Sequence, residues 1–345
     1  MKVLKTFVVN AALVAASILV TLLLFEGMLR LAGYSPHYIY WKFDPVLGWD
    51  HEPGHEGLFS TAHFRTHVKI NSKGLRAKEF SYERPEGKRR ILFLGDSYVW
   101  GFVVEIEEAV AERLEAQLTG VEVINGGVSG YSTDQELLWL EREGVRYKPD
   151  LVILVVTPND FRGNTVLITD MGYFKPLFSI EENDDLRLSN VPLPEPPRWH
   201  SLARYLARKS CLVSELRHFM LRHTGLRIQQ HLPACDVPTP SNREAPNAHY
   251  ENRVAARLVD RIRHVAADHA FRLVVVVSDV PSSSPYYEFV TRLRQDGVDV
   301  LEIDESTGFS PSRMVIPDDG HWNAVGHAFV ADQLANFLKD KGFAP

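Results

Sequence analysis

Two short segments far apart in the chain carry side chains that could act together as a nucleophile and its base. Ser97 lies in the run Gly95-Asp96-Ser97, directly after a short apolar stretch, and His321 follows Asp318 by three residues. A carboxylate that accepts a hydrogen bond from an imidazole fixes its tautomer and leaves the other ring nitrogen free to take a serine proton. This pairing predicts that Ser97 is a nucleophile and His321 its base.

Taken singly, each segment also has an ordinary structural explanation. Asp and Ser are common at helix N-termini, and the acidic turn before His321 would precede a final helix capped by Asn323. A metal site formed by Asp318, His321 and His327 is a further alternative. It is weaker because nothing nearby completes a ligand set and His327 falls within the predicted helix.

Two further turns contain hydrogen-bond donors of the kind that stabilise an oxyanion. Gly130 lies in the run NGGVSGY, and Asn159 is followed by Asp160. A backbone N–H at glycine and a side-chain amide at asparagine suit this role. Glycine and asparagine are also common turn formers, so each turn alone has a structural explanation.

The elements that must position these residues alternate between short apolar strands and longer helical segments. Near-continuous Val/Ile/Leu runs are typical of parallel strands buried on both faces. The predicted strands are Ile91–Leu94, Val121–Ile124, Leu151–Val156, Leu273–Val277 and Val298–Ile303, with helices near 105–119, 132–147, 249–270, 284–296 and 322–340. This pattern predicts an α/β fold, a three-layer doubly wound parallel sheet, with ligands bound at the carboxyl ends of the strands.

Together the four polar segments resemble the SGNH, or GDSL-type, hydrolase family, whose motif blocks supply Ser, Gly, Asn and His in this chain order. The resemblance covers residues 91–345 and implies a flavodoxin-like SGNH hydrolase fold. It implies Ser97 as nucleophile, His321 as base and Asp318 as the residue that orients it. It also implies an oxyanion hole formed by the amides of Ser97 and Gly130 and by the Asn159 side chain. No cofactor or metal is expected.

The sequence departs from the family pattern at two positions. Thr157 and Pro158 precede Asn159, where the family usually has a glycine, and this alters the loop but keeps the amide. Trp322 follows His321 where many simple esterases of the family have proline. A His-Trp pair at this position is similar to membrane-associated polysaccharide O-acetyltransferases of the same superfamily.

The N-terminal segment is long and apolar enough to cross a membrane. From Phe7 to Phe25 it has only three polar residues, and Lys2 and Lys5 precede it. About nineteen helical residues nearly span the hydrocarbon core of a bilayer. The positive-inside rule then predicts a single-pass protein with a cytoplasmic N-terminus and a periplasmic or other extracytoplasmic catalytic domain. A cleaved signal peptide is the alternative, but no small-residue cleavage site follows.

These patterns divide the chain into three parts. Residues 1–33 form a cytoplasmic tip and signal-anchor, 34–90 a small strand-rich preface, and 91–345 the hydrolase domain with an insertion at about 161–248. Within the insertion, residues 199–229 have the pattern of an amphipathic basic helix, which either packs on the domain or lies on an anionic membrane surface. Cys211 and Cys235 either form a disulfide or are two unrelated thiols.

Composition limits the classes of function and partner. The net charge of −6 gives no basic field for nucleic acid, so none is expected as a partner. The leading hypothesis is a serine ester hydrolase that uses an acyl-enzyme, with O-acyl esters of carbohydrate or similar compounds as substrates. The alternatives are an O-acetyltransferase that passes the acyl group to a glycan hydroxyl, and a catalytically silent, anchored binding module.

Overall fold

The structure is a computed structural model of the 345-residue chain. It describes residues 2–32, 41–60, 64–169, 173–196, 198–216, 247–317 and 319–343. By its internal contacts the chain divides into two units. One comprises residues 1–39, 58–60 and 196–231, and the other comprises 40–57, 61–195 and 232–345.

A five-stranded parallel sheet forms the centre of the larger unit. Its strands are β5 (Arg89–Leu94), β6 (Val121–Asn125), β7 (Leu151–Val156), β10 (Arg272–Ser278) and β11 (Asp299–Ile303). Their order across the sheet is β6-β5-β7-β10-β11, and each neighbouring pair is parallel. This is the 2-1-3-4-5 order of flavodoxin-like folds, in which ligands bind beyond the carboxyl ends of the strands.

Helices cover both faces of this sheet because alternate strand residues point to opposite sides. On one face Leu92, Val152 and Val275 pack with α4 (Thr133–Arg142), α7 (Ala248–His269) and α8 (Tyr287–Gln295). On the other face Ile91, Ile153 and Val274 pack with α3 (Val110–Gln117) and α10 (Ala324–Asp340). The predicted three-layer doubly wound architecture is therefore confirmed.

Several shorter elements surround the sheet. They are β1 (Trp41–Asp44), β2 (Gly48–His51), β3 (Glu56–Ser60), β4 (Arg65–Lys69), α2 (Ser97–Trp100), α5 (Pro158–Gly163), β8 (Leu177–Ile180), β9 (Leu186–Ser189) and α9 (Pro311–Met314). Strands β1 and β2 form one antiparallel hairpin, and β8 and β9 form another within the predicted insertion.

The smaller unit contains two helices of different character. Helix α1 (Lys2–Leu31) includes a segment, Leu4–Leu31, that is long and apolar enough to cross a membrane. Helix α6 (Arg198–Lys209) occupies the start of the predicted amphipathic run, and residues 211–216 are helical again. The rest of that run lies outside the described residues. So does Cys235, and the proposed pairing with the buried Cys211 stays a prediction.

Candidate active site

Ser97 lies where strand β5 gives way to a single helical turn. β5 ends at Leu94, and α2 begins at Ser97 with Asp96 as its N-cap, whose carboxylate accepts a hydrogen bond from the Tyr98 amide at 2.9 Å. An Asp side chain satisfies a helix N–H that has no partner within the helix. Ser97 is thereby held at the carboxyl edge of the sheet, with a relative exposure of 9%.

His321 connects this serine to a carboxylate. The Nε2 atom of His321 lies 2.7 Å from Ser97 Oγ, and Nδ1 lies 2.5 Å from Asp319 Oδ1. The aspartate beside the imidazole is therefore Asp319. The sequence-based assignment named Asp318, which lies outside the described residues. Asp318 and Asp319 are adjacent in the sequence and both come shortly before His321. Spacing alone therefore did not distinguish which carboxylate contacts the imidazole.

Aromatic side chains enclose the imidazole. The ring of Tyr98 lies 5.0 Å from the His321 ring between centroids, and the ring of Phe102 lies 4.6 Å from it. The Tyr98 hydroxyl donates to the Gly320 carbonyl at 3.1 Å, which ties α2 to the histidine turn. Burial raises the pKa of Tyr98 above its usual range, with a further contribution from Asp96. Tyr98 therefore remains a neutral hydrogen-bond donor.

The turn that contains Gly130 packs against the nucleophile turn. The Val128 amide donates to the Gly95 carbonyl at 3.0 Å, and the Asn125 side chain donates to the Val99 carbonyl at 2.9 Å. Gly130 has a φ of +82°, in the left-handed region that favours glycine. Within the described part of the chain, no hydrogen bond is made by the backbone N–H of Ser97 or of Gly130. Both are thus available as oxyanion donors.

Asn159 reaches the same turn from the start of helix α5. Its Nδ2 donates to Asp96 Oδ2 at 2.9 Å, and its Oδ1 accepts from the Thr157 hydroxyl at 2.5 Å. One of its two amide N–H groups is thus used to fix the side chain on the nucleophile turn. The unusual Thr157 and Pro158 form a regular helix start: Pro158 takes the first position and Thr157 forms a capping box with Asp160.

Two residues of the 34–90 segment support these turns, and sequence analysis did not identify either. Trp49 Nε1 donates to the Ser129 carbonyl at 3.1 Å, and the Tyr131 hydroxyl donates back to the Trp49 carbonyl at 2.6 Å. The buried Arg76 donates to the carbonyl of Trp100, the last residue of α2, at 3.1 Å and to that of Val104 at 2.8 Å. Trp49 therefore stabilises the Gly130 turn, and Arg76 stabilises the end of the nucleophile helix α2.

A buried cluster of carboxyl groups lies behind the site. Asp96, Asp134, Glu136 and Asp160 are almost fully buried, together with one cation, Lys175. Lys175 Nζ contacts Asp134 Oδ1 at 2.9 Å and the Gly163 carbonyl at 2.7 Å. Burial raises the pKa values of all four carboxyl groups. Repulsion from neighbouring carboxylates adds to this for Asp160 and Glu136, and both have pKa values well above the usual range.

The carboxyl groups of this buried cluster outnumber its cation, Lys175. One ammonium group offsets only part of the charge that four ionised carboxylates would carry, so burial and mutual repulsion favour the protonated form of carboxyl groups in this cluster. Lys175 comes from the predicted insertion, and no motif there signalled its role. The signal that was present is the run of polar residues Thr133-Asp134-Gln135-Glu136, which form the buried first turn of α4 and precede four apolar residues.

The two residues that prompted alternative interpretations lie in the interior. Trp322 has a relative exposure of 1% and packs in the core cluster beneath the sheet, with its ring 5.1 Å from Tyr98. His327 is buried on α10, and its Nδ1 accepts from the Val110 amide at 3.2 Å. Among the described residues, no group of three His, Cys, Asp or Glu side chains is arranged to hold a metal ion.

Asn323 caps α10 as predicted, accepting from the amides of Val325 and Gly326.

One family model matches the part of the chain that contains these segments. The model of the GDSL-like lipase/acylhydrolase family matches residues 93–329. The chain belongs to this family. It is a serine esterase of the SGNH type, and its motif turns lie at the carboxyl edge of the parallel sheet.

The acylhydrolase is also similar in fold to solved structures of low sequence identity. One is a putative G-D-S-L family lipolytic protein from Desulfitobacterium hafniense DCB-2, with 10% identity and a TM-score of 0.41 over 73% of this chain and 100% of the other. A second is the acetyl xylan esterase AlAXEase, with 14% identity and a TM-score of 0.39 over 72% of this chain and 98% of the other. A third is a lipase/acylhydrolase from Enterococcus faecalis, with 12% identity and a TM-score of 0.39 over 73% of this chain and 96% of the other. No curated protein sequence matches the chain.

Proposed function

We propose that Ser97, His321 and Asp319 form the catalytic triad of a membrane-anchored esterase that acts outside the cytoplasm. Its substrates would be O-acyl esters, acetyl esters above all, of carbohydrate or a similar alcohol. The observation that carries the proposal is the continuous chain of contacts from the Ser97 hydroxyl through both nitrogens of His321 to the Asp319 carboxylate.

In the first half-reaction, Ser97 Oγ attacks the acyl carbonyl and His321 Nε2 takes its proton. Asp319 accepts a hydrogen bond from Nδ1–H and stabilises the imidazolium. The amides of Ser97 and Gly130 and the Asn159 side chain stabilise the oxyanion. The C–O bond of the ester then breaks, and His321 returns the proton to the leaving alcohol.

In the second half-reaction, His321 removes a proton from water, which attacks the acyl-enzyme. The carboxylic acid leaves, and the Ser97 hydroxyl is restored. A glycan hydroxyl in place of water would give the acetyltransferase alternative. The sequence feature that favoured transfer is Trp322, whose ring is buried in the core. The family whose model matches the chain is described by hydrolysis of acyl groups. Hydrolysis is therefore the activity we propose.

A fluorophosphonate probe, which modifies activated serines, tests the nucleophile. Wild-type protein should be labelled, whereas Ser97→Ala should lose labelling and roughly 10⁴-fold or more in kcat for a small acetyl ester. Ser129→Ala, which changes a buried serine in the Gly130 turn, is the matched control and should keep both. Full labelling of the Ser97→Ala variant would refute the assignment.

The acetyl-ester assay also distinguishes hydrolysis, acyl transfer and binding without catalysis when acetylated and free oligosaccharides are added. Hydrolysis releases acetate alone, whereas transfer yields newly acetylated oligosaccharide at the expense of acetate. A silent binding module would give neither product, and Ser97→Ala would leave its biological activity intact.

A further inference from the structure

The C-terminal part of helix α1 binds the start of a second helical segment. The carboxylate of Glu26 accepts hydrogen bonds from the amides of Cys211 at 3.0 Å and Leu212 at 2.9 Å, and from the Ser210 hydroxyl at 2.8 Å. The first N–H groups of a helix have no partner within it. Glu26 therefore serves as the N-terminal cap of a helical stretch more than 180 residues later in the chain.

Arg30, one turn after Glu26, holds the other side of the same helix break. Its Nε donates to Glu26 Oε1 at 2.7 Å, and its Nη2 donates to the carbonyl of Lys209 at 2.9 Å. Lys209 is the last residue of α6, where helix carbonyls lack intrahelical partners. Glu26 and Arg30 thus form a clamp on the junction between α6 and residues 211–216.

Helix α6 exposes large apolar side chains on one face. Leu202 and Tyr205 are each 58% exposed and Leu206 is 45% exposed, and their spacing of three and four residues places them side by side. Its last turn carries Arg208 and Lys209. An exposed apolar face beside basic residues is the composition of helices that lie in a membrane interface.

The position of the Glu26–Arg30 clamp along α1 indicates what covers the exposed apolar face of α6. The apolar run of α1 ends at Phe25, and Glu26 and Arg30 are the charged residues that follow it. At 1.5 Å per residue, the 30 residues of α1 are about 45 Å long, whereas a bilayer hydrocarbon core is about 30 Å thick. The clamp therefore falls at the headgroup layer, and the end of α6 is fixed at that depth.

We propose that α6 lies in the headgroup layer of the bilayer that α1 crosses, with Leu202, Tyr205 and Leu206 directed into the acyl chains. This inference rests on the membrane anchoring in the proposed function. It gives the protein a second membrane contact, made by a segment inserted within the hydrolase sequence. Partition of these three side chains into the bilayer removes from water the apolar surface that α6 otherwise exposes.

Photocrosslinking in the full-length protein tests this placement. Benzoylphenylalanine is introduced at Leu202 or Leu206, and the protein is reconstituted in nanodiscs of phosphatidylcholine and phosphatidylglycerol that contain a clickable phospholipid. Leu13, in the apolar run of α1, is the positive control, and the exposed Val325 on α10 is the negative control. We expect lipid adducts at 202 and 206 in yields comparable with position 13, and none at 325.

Three other results are informative. Adducts at 13 without adducts at 202 and 206 would overturn the proposal for α6 while leaving the anchor intact. Adducts from 202 or 206 to the protein itself, without lipid, would show that α6 packs on the protein and would also overturn it. No adduct at any position would refute the anchor as well. Hydrolysis of a small acetyl ester by the same samples tests the proposed activity independently.

Discussion

The turn before His321 brings the Asp319 carboxylate to the imidazole. The amides of Asp319 and Gly320 both donate to the Ile316 carbonyl, at 3.3 and 3.0 Å, and the Ile316 amide donates to the His321 carbonyl at 2.9 Å. This tight closure places the Asp319 side chain, two residues before His321, against Nδ1. The Asp-x-x-His spacing of the family motif led the sequence-based assignment to Asp318 instead.

Substitution of the two aspartates distinguishes these roles. Asp319→Asn should lower kcat by about 10²-fold or more, because the neutral amide no longer stabilises the imidazolium or fixes the tautomer. Asp318→Asn is the matched control and should retain nearly full activity. Steady-state kinetics on a small acetyl ester measure both. The opposite ranking would assign the role to Asp318.

At the scale of elements, the site depends on polar contacts between segments that are far apart in sequence. Helix α5 is tied to the nucleophile turn by Asn159, and α4 is tied to the insertion by the buried Lys175–Asp134 pair. A buried ion pair is costly to break on one side, because the remaining charge is left without a partner. The insertion therefore contributes to the stability of the site even though none of its residues matches a family motif.

Removal of the buried cation should destabilise the fold. Lys175→Met is expected to lower the free energy of unfolding by about 3–5 kcal/mol, whereas Lys148→Met, which breaks an exposed pair with Glu83, should cost no more than about 1 kcal/mol. Denaturant titrations measure both changes. The double variant Lys175→Met/Asp134→Leu should recover part of the loss. Equal costs for the two single lysine variants would contradict a buried ion pair.

The packing of α10 on α3 predicts a dependence of stability on pH. Burial lowers the pKa of His327 to about 3, so the native state stays unprotonated while the unfolded chain binds a proton below a pKa of about 6.5. Stability is therefore lost as the pH falls from 6.5 towards 3, by roughly 1.4 kcal/mol per pH unit from this residue.

His327→Asn keeps an acceptor for the Val110 amide and removes the titrating group. Its unfolding free energy should fall less steeply than that of the wild type between pH 6.5 and 5, by roughly 2 kcal/mol in total. His264→Asn, on the exposed face of α7, controls for the loss of a histidine and should follow the wild type. Parallel curves for all three proteins would show that His327 does not contribute to acid sensitivity.

At the scale of the whole molecule, a long apolar helix precedes the α/β hydrolase domain in the chain. Among the described residues, α1 is the helix that meets the length and composition needed to span a membrane. Two lysines precede its apolar run and would remain in the cytoplasm. An esterase attached in this way would act on substrates at the outer face of the same membrane.

Fractionation and proteolysis test this arrangement. The full chain should remain in the membrane pellet after an alkaline carbonate wash, whereas a variant that lacks residues 1–33 should be released. Protease added to intact spheroplasts should digest the hydrolase domain only if it lies outside. A mature protein whose N-terminus begins after Phe25 would support a cleaved signal peptide instead.

Local pattern was sufficient for part of this description. Runs of Val, Ile and Leu such as Leu151–Val156 identified the strands, because strands buried on both faces admit little else. The positions of Ser97 and His321 followed from their places after a strand and before a helix. The family assignment from those residues was confirmed.

Tertiary structure alone determined the contacts that depend on the path of a turn or on distant segments. Asp319 was selected by the closure of one turn, which sequence spacing does not encode. Lys175, Trp49 and Arg76 reach the site from segments without a recognisable motif, since any buried cation or ring in the right place satisfies the same partners. The burial of Trp322 likewise depends on packing between α10 and the sheet.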